Sequence, residues 1–550
     1  MKLQFYRFSL SWTRILPSGF TNEINKAGVK YYSDLIDALL AEGIEPVVTI
    51  YHWDLPVKIS DLGGWTNPLI VNWFGDYARV VYSLYANRVK TWLTINEPIS
   101  MCDLFYSTGS YAPGIKEEVF GPYLCTKYLL LAHAKAYRIF DKEFRPKYTG
   151  RISLANQAVW IEPATTNDTA LAELRRQNWL GRYSHPIYSK TGGWPPSIEK
   201  SMLEDSLAEG YKESRLPSFT KDEVAFVKGT ADFYGMNHYT TFFVRASKPE
   251  DGPGFIGSSA QVTVLPPPGA TFGALLLYPV YPVGIRRTMA WLKQQYGDID
   301  ILITENGFST SGYQLADYGR VNYIREYLEQ VQLSIKKDNV SVIGYTAWSL
   351  TDNFEWADGY STKFGLYEID YDHPNRTRTP RVSAYYYACV IAGRSLDVKD
   401  SCWLQVVPFF CAPPPPPPPP RESQPANQPA NQPEGRYISP AVRRSEYPLK
   451  PALDWVTGTP KQPTATQPAT SAEADPPPPR PPRNLPPTRP LAMSNNIPEE
   501  RLLAMLPGCT GPTALPLGCP RHPKGTSSTQ AHWEVTWLAP QYKKYLNQCQ

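Results

Sequence analysis

Along the first four hundred residues, short runs of β-branched and aromatic residues alternate with longer stretches whose apolar positions recur at helical spacing. Strands are predicted at 3–9, 45–51, 90–95, 150–157, 232–237, 299–304 and 342–348. Ala27 to Glu42, Tyr123 to Glu143 and Gly319 to Lys337 are among the predicted helices between them. This alternation predicts an α/β fold, a parallel sheet with crossover helices. Most predicted strands end in a polar or aromatic cluster: Tyr51-His52-Trp53-Asp54, Asn96-Glu97, Asn237-His238-Tyr239, Glu305-Asn306 and Trp348-Ser349. Chemistry gathered at carboxyl strand ends predicts a (β/α)8 TIM barrel. A doubly wound sheet would instead collect it at one switch point, normally behind a Gly-rich phosphate loop, and no such loop occurs. Seven strands are visible where closure wants eight, and the first begins at residue 3. The expectation is therefore a barrel lacking its first strand and helix.

The pattern changes near the end of this region, which divides the chain into a barrel domain, 1–398, and a proline-rich tail, 399–550. The tail holds the unbroken run Pro413 to Pro420 and the small repeat from Gln424 to Pro433. A second proline run, Pro476 to Pro479, leads into Arg480-Pro481-Pro482-Arg483. Such sequence favours extended polyproline II and buries too little apolar surface to offset its ordering entropy, so a disordered tail is expected. Its proline runs weakly match ligands of SH3 or WW domains.

Composition adds little and excludes several classes. The formal charge of +4 comes from interspersed basic and acidic residues, which implies no nucleic-acid partner. Aromatic content is 13%, with 15 Trp and 36 Tyr, as suits stacking on flat sugar faces and large α/β cores alike. No apolar run is long enough to cross a bilayer, and residues 1–7 have no signal-peptide architecture. None of the 8 cysteines sits in a C-x-x-C pair, so neither a zinc site nor a redox motif is expected. Cys389 and Cys402 are placed to bridge, but the sparse spacing predicts no disulfide framework. Asn-x-Ser/Thr sequons occur at Asn167, Asn339 and Asn375, which suits a secreted glycoprotein.

Candidate chemistry centres on Glu97, in Thr94-Ile95-Asn96-Glu97-Pro98, and Glu305, in Ile303-Thr304-Glu305-Asn306-Gly307. Each alone reads equally well as a turn residue. Together they are two glutamates at the ends of apolar strands roughly two hundred residues apart, each flanked by Asn. Two carboxylates facing one another across a cleft suffice to cleave a glycosidic bond, one attacking the anomeric carbon and the other protonating the leaving oxygen. A negative neighbour raises the pKa of the acid and keeps it protonated near neutrality. His52 and Trp53 end the second strand, where a sugar hydroxyl contact and simple structural roles both remain open. Asn237 and Tyr239 alternate, so they share a face. Trp348, Glu355 and Trp356 offer flat indoles beside an acid. Arg7, if buried, requires a carboxylate partner.

Six segments resemble glycoside hydrolase family 1, the β-glucosidase, lactase and myrosinase family. They are Tyr6-Arg7-Phe8-Ser9-Leu10-Ser11-Trp12, Tyr51-His52-Trp53-Asp54-Leu55-Pro56, the two glutamate motifs, Asn237-His238-Tyr239, and Trp348 to Trp356. They occur in the family's order, cover about residues 1 to 395, and look most like animal or insect members. The resemblance implies Glu97 as acid/base and Glu305 as nucleophile, supported by Arg7, Asn237 and Tyr239. It implies His52, Asn96, Trp348, Glu355 and Trp356 as contacts to the cleaved sugar, with no metal or cofactor. Plant myrosinases carry Gln where this chain has Glu97, so an O-glycosidase is expected. Klotho-type relatives lose catalytic glutamates, and this chain keeps both. Family members begin with an upstream strand whose Gln binds the sugar, and nothing in this chain matches it. That absence agrees with the seven-strand count and implies a longer, secreted protein.

The expectation is a retaining β-glycosidase acting on small-molecule β-glycosides, its carboxyl groups about 5 Å apart. The alternative is a carbohydrate-binding protein without turnover, on account of the absent strand.

Overall fold

The computed structural model describes residues 2–109, 111–251 and 262–404. Seven strands pair in parallel and in chain order: β1 (Phe5–Ser9), β2 (Glu45–Tyr51), β3 (Thr91–Asn96), β4 (Arg151–Gln157), β5 (Tyr234–Asn237), β6 (Ile301–Asn306) and β7 (Val342–Ala347). All seven coincide with predicted strands to within two residues at each end. Parallel neighbours require crossovers, and single long helices supply five of the six: α1 (Lys26–Ala41), α2 (Ile70–Tyr85), α3 (Gly121–Ile139), α4 (Val283–Tyr296) and α5 (Tyr318–Asp338), with several shorter helices between β4 and β5 and α6 (Val382–Gly393) following β7.

The strands read as continuous apolar runs because both faces are covered. Val47 of β2 points into the barrel with Phe5, Leu93, Ala155 and Leu302, while Val48 and Ile50 pack outward under the helices. Leu302 of β6 likewise faces inward, and Ile301 and Ile303 outward. The interior is therefore a filled core from which only the strand tops rise as a site.

The near-closed sheet leaves β1 and β7 as its edges. Side chains span this seam: a Cβ on Gly344 of β7 would lie 3.3 Å from the Phe5 ring of β1. Arg7 of β1 also reaches across to β6. A second sheet joins Trp160–Pro163, Thr241–Ala246 and Val262–Leu265. Hydrophobic periodicity did not single it out, because these strands are short and lie in segments between barrel strands.

Among the described residues, two disulfides correct the expectation of no framework. Cys389 bonds Cys402, as their placement allowed, and Cys102 bonds Cys125. Cys102 lies just after β3 and Cys125 in α3, brought together only when α3 packs over the barrel. The folded body also continues past residue 398, since Asp400–Trp403 is helical and Cys402 tethers it to α6. The proline-rich tail beyond 404, with its proposed SH3 or WW ligands, lies outside the described residues. Among the described residues no helix is long and apolar enough to cross a membrane.

Cross-linking Cys102 to Cys125 closes a loop of 23 residues. Replacing both cysteines with Ala is expected to lower unfolding free energy by about 3 kcal/mol. Urea denaturation of the oxidised parent and the double variant measures it, and equal midpoints would contradict the estimate.

Candidate active site

Both glutamates sit where the ladder loses its regular register. The β3–β4 pairing slips between Leu93 and Asn96, and the β6–β5 pairing between Ile303 and Glu305. Such irregularities re-aim side chains next to sites. Ile303 faces outward, so strict alternation would turn Glu305 outward as well; the slip instead brings it opposite Asn237. Gly307 completes this turn, because a Cβ there would meet the Trp348 carbonyl oxygen at 2.0 Å.

Glu305 is 4% exposed and receives strong donors. Arg7 Nη1 donates to its Oε1 at 2.5 Å, and the Tyr239 hydroxyl donates to Oε2 at 2.7 Å. Arg7 is itself fixed: Nε donates to Thr49 Oγ1 at 3.1 Å and Nη2 to Asn96 Oδ1 at 2.6 Å. Glu97, also 4% exposed, has only neutral donors, Asn237 Nδ2 at 2.9 Å and Ser100 Oγ at 2.8 Å. Burial first, and then the negative charge of Glu305, push Glu97 up to about 7. Asn237 bridges the pair, since its Nδ2 also donates to Asn96 Oδ1 and its Oδ1 accepts from Thr304 Oγ1. One polar network thus joins every predicted residue on β1, β3, β5 and β6.

The predicted sugar contacts form an aromatic wall beside this network. His52 stacks between Trp348 (6.2 Å between ring centroids) and Trp356 (6.0 Å), and Asn96 and His52 Nε2 are hydrogen-bonded at 3.1 Å. Burial, with Arg7 adding, pushes His52 down to about 3, so its ring is neutral. Trp53 packs on Trp356 at 4.6 Å and its indole donates to the Asn96 carbonyl at 2.9 Å. Glu355, which accepts from the Trp348 side chain, is pushed up to about 8 by burial and by Glu305, Asp358 and Glu97. Trp53, Glu97 and Trp356 all adopt left-handed backbone, at φ of 77°, 41° and 44°. For non-glycine residues this conformation is costly and persists where the surroundings over-determine it, as at functional sites.

Several contributors escaped the sequence reading. Ser100, two residues beyond one motif, and Thr304, inside the other, are short polar residues that could have been found from that proximity. Tyr278 stacks on Tyr239 at 5.0 Å, yet it sits in an apolar run with no distinguishing signal. The loop carrying Glu355 and Trp356 is anchored by a buried ion network. Arg381 donates to Asp352 at 2.9 and 2.8 Å and also pairs with Glu368, while Arg320 pairs with Asp317. No group of three or more His, Cys, Asp or Glu side chains among the described residues could hold a metal ion.

Comparison with known proteins places this geometry in context. The family profile described as "Glycosyl hydrolase family 1" matches residues 1–395. The chain is similar to "Myrosinase 1" of Brevicoryne brassicae, 42% identical over 400 residues that cover 71% of this chain and 84% of that protein. It is also similar to "Cytosolic beta-glucosidase" of Homo sapiens, 38% identical over 399 residues covering 72% and 84%. The solved structure titled "Aphid myrosinase" superposes with a TM-score of 0.66 at 40% identity, over 71% of this chain and 84% of that one.

Because folding raises Glu97 to about 7, the folded state holds a proton that the unfolded chain has released. That costs stability as pH climbs above the unfolded value, and the cost is complete above about 7. Glu97→Gln is expected to stabilise by about 2–3 kcal/mol at pH 8 and by much less at pH 5. Chemical denaturation at both values measures the difference, and a gain independent of pH would contradict it.

Proposed function

The chain belongs to glycosyl hydrolase family 1, and from that premise we propose that it is a retaining β-glycosidase working by double displacement. The observation that carries this reading is the unequal hydrogen bonding of the two glutamates. A guanidinium and a phenol donate to Glu305, whereas Glu97 receives neutral donors and is held protonated near neutrality by burial and by its negative neighbour.

In the first step Glu305 Oε2 or Oε1 attacks the anomeric carbon while Glu97 gives its proton to the glycosidic oxygen, and the leaving group departs as an alcohol. Forming the ester removes the negative charge of Glu305. Beyond burial, that charge holds the Glu97 pKa up only for as long as it exists, so Glu97 becomes the stronger acid it must be to act next as a base. Glu97 then takes a proton from water, the resulting hydroxide character attacks the anomeric carbon, and Glu305 leaves as the carboxylate. The aromatic wall of His52, Trp53, Trp348 and Trp356 with Glu355 holds the cleaved sugar, its indoles stacking and Glu355 accepting from hydroxyls. Retention of Glu97 favours O-glycosides such as β-glucosides. No observation favours a binding protein without turnover.

Two measurements on a chromogenic β-glycoside test the assignment. Glu305→Gln is expected to abolish turnover, and undiminished activity would sink the nucleophile. In the parent, kcat/KM is expected to fall as pH rises through about 7, because Glu97 must enter protonated. Glu97→Gln should lose that alkaline limb, and its persistence in the variant would assign the limb to another group.

Asn167, Asn339 and Asn375 are all exposed, and the two disulfides suit an oxidising compartment. When the protein is expressed through a secretory pathway, peptide-N-glycosidase treatment is expected to lower its mass and convert sequon Asn to Asp. An unchanged mass would exclude glycosylation there.

A further inference from the structure

The two carboxyl oxygens of Glu97 meet partners that differ in what they can do. The guanidinium of Arg7 only donates, so the Asn96 atom it meets at 2.6 Å is the carbonyl Oδ1. Asn237 reaches that same oxygen at 3.1 Å, and therefore with its amide nitrogen, whose other hydrogen goes to Glu97 Oε1 at 2.9 Å. An amide nitrogen accepts no proton. Oε1 thus stays the carbonyl oxygen of the acid, and the transferable proton sits on Oε2. Ser100 Oγ, buried, stands against Oε2 at 2.8 Å. Ser100 is itself held from outside the carboxyl. It opens the π-helical turn Ser100–Phe105, a backbone form that recurs at functional sites. On the same turn Cys102 is bonded to Cys125 of α3. Asp103 is paired with buried Arg182 and accepts from the Tyr183 hydroxyl at 3.3 Å. A covalent bond and an ion pair thus fix the turn, so the serine is in place before the charge on Glu97 changes.

We propose that Ser100 is a positioning residue that aims the proton-bearing oxygen of Glu97 and, by donating to it, favours the ionised form needed in the second step. This rests on the glycosidase reading above. In that step a water O–H bond breaks and its proton lands on Oε2. The water oxygen bonds to the anomeric carbon as the ester bond to Glu305 breaks, and Glu305 departs as the carboxylate. Glu97 must enter this step without a proton, and a hydroxyl donor to Oε2 keeps it so against the burial that favours the acid. Among the described residues the other charged or titratable groups facing Glu97 are Glu305 of β6, Arg7 of β1, Glu355 after β7, Tyr239 and Tyr278. None of them is changed by altering Ser100.

The test follows pH profiles of the parent, Ser100→Ala and Ser100→Thr on a methyl β-glycoside of the sugar hydrolysed fastest. Losing a donor to the ionised form raises the pKa of Glu97. In Ser100→Ala the alkaline limb of kcat/KM is therefore expected to move up by about one pH unit, the size of one hydrogen bond to a charged group. A trapped 2-deoxy-2-fluoroglycosyl-enzyme, from which the leaving group has gone, reactivates only with Glu97 ionised. The pH of its half-maximal reactivation should rise by a similar amount. Ser100→Thr keeps the hydroxyl and should keep both pH values of the parent. Ser100→Val, of the same shape without the hydroxyl, should move both as Ser100→Ala does. Unmoved pH values in Ser100→Ala and Ser100→Val, whatever the loss of rate, would make Ser100 a packing residue and overturn the inference while the glycosidase reading stands. An equal displacement in Ser100→Thr would overturn it too. Absence of turnover and of trapping in the parent would overturn the glycosidase reading itself.

Discussion

The buried ion pair between Arg7 and Glu305 is the interaction on which the rest of the site depends. Two glutamates and a third acid, Glu355, crowd a space from which water is largely removed, and burial drives Glu97 and Glu355 towards neutrality. One guanidinium, 4% exposed in its side chain, meets Glu305 directly. It also ties β1 to β6 across the seam where these strands have no backbone pairing, and it holds Asn96 at the end of β3. Removing either partner would strand a buried charge, which is far costlier than losing an exposed ion pair.

From that fixed charge the roles of the acids follow by contrast. Glu97 and Glu305 share one side-chain chemistry and nearly equal burial, so only their neighbours separate them. Asn237 touches Glu97 and Asn96, and through Thr304 it also touches the strand that bears Glu305. The outer wall has its own anchor. Arg381, fully buried, fastens Asp352 and Glu368 on either side of the loop that carries Glu355 and Trp356. A loop bearing left-handed Trp356 stays in place because both its ends are held.

Much of the fold was legible because its signals are local. A parallel strand buried on both faces is an apolar run whatever it packs against, so β1 to β7 could be read from composition over six or seven residues. The site motifs were legible because their polar residues interrupt such runs at the same end. Tyr278 was not, since a tyrosine in an apolar stretch carries no mark of the partner it will face. The Cys102–Cys125 bond was equally hidden, because it depends on how α3 lies against the turn after β3.

By itself the sequence determined the strand order, the residue types at the strand tops and the presence of two glutamates flanked by asparagine. Those are properties of short stretches, fixed by hydrophobic period and local backbone preference. Only the tertiary structure decided which way each glutamate points and which of them meets a charged donor. The register slip before Glu305 turns inward a side chain that alternation would send outward. The partners that separate the two acids arrive from strands up to 298 positions away in the chain. Electrostatics in a desolvated cleft depends on distance in space, and the sequence states distance only along the chain.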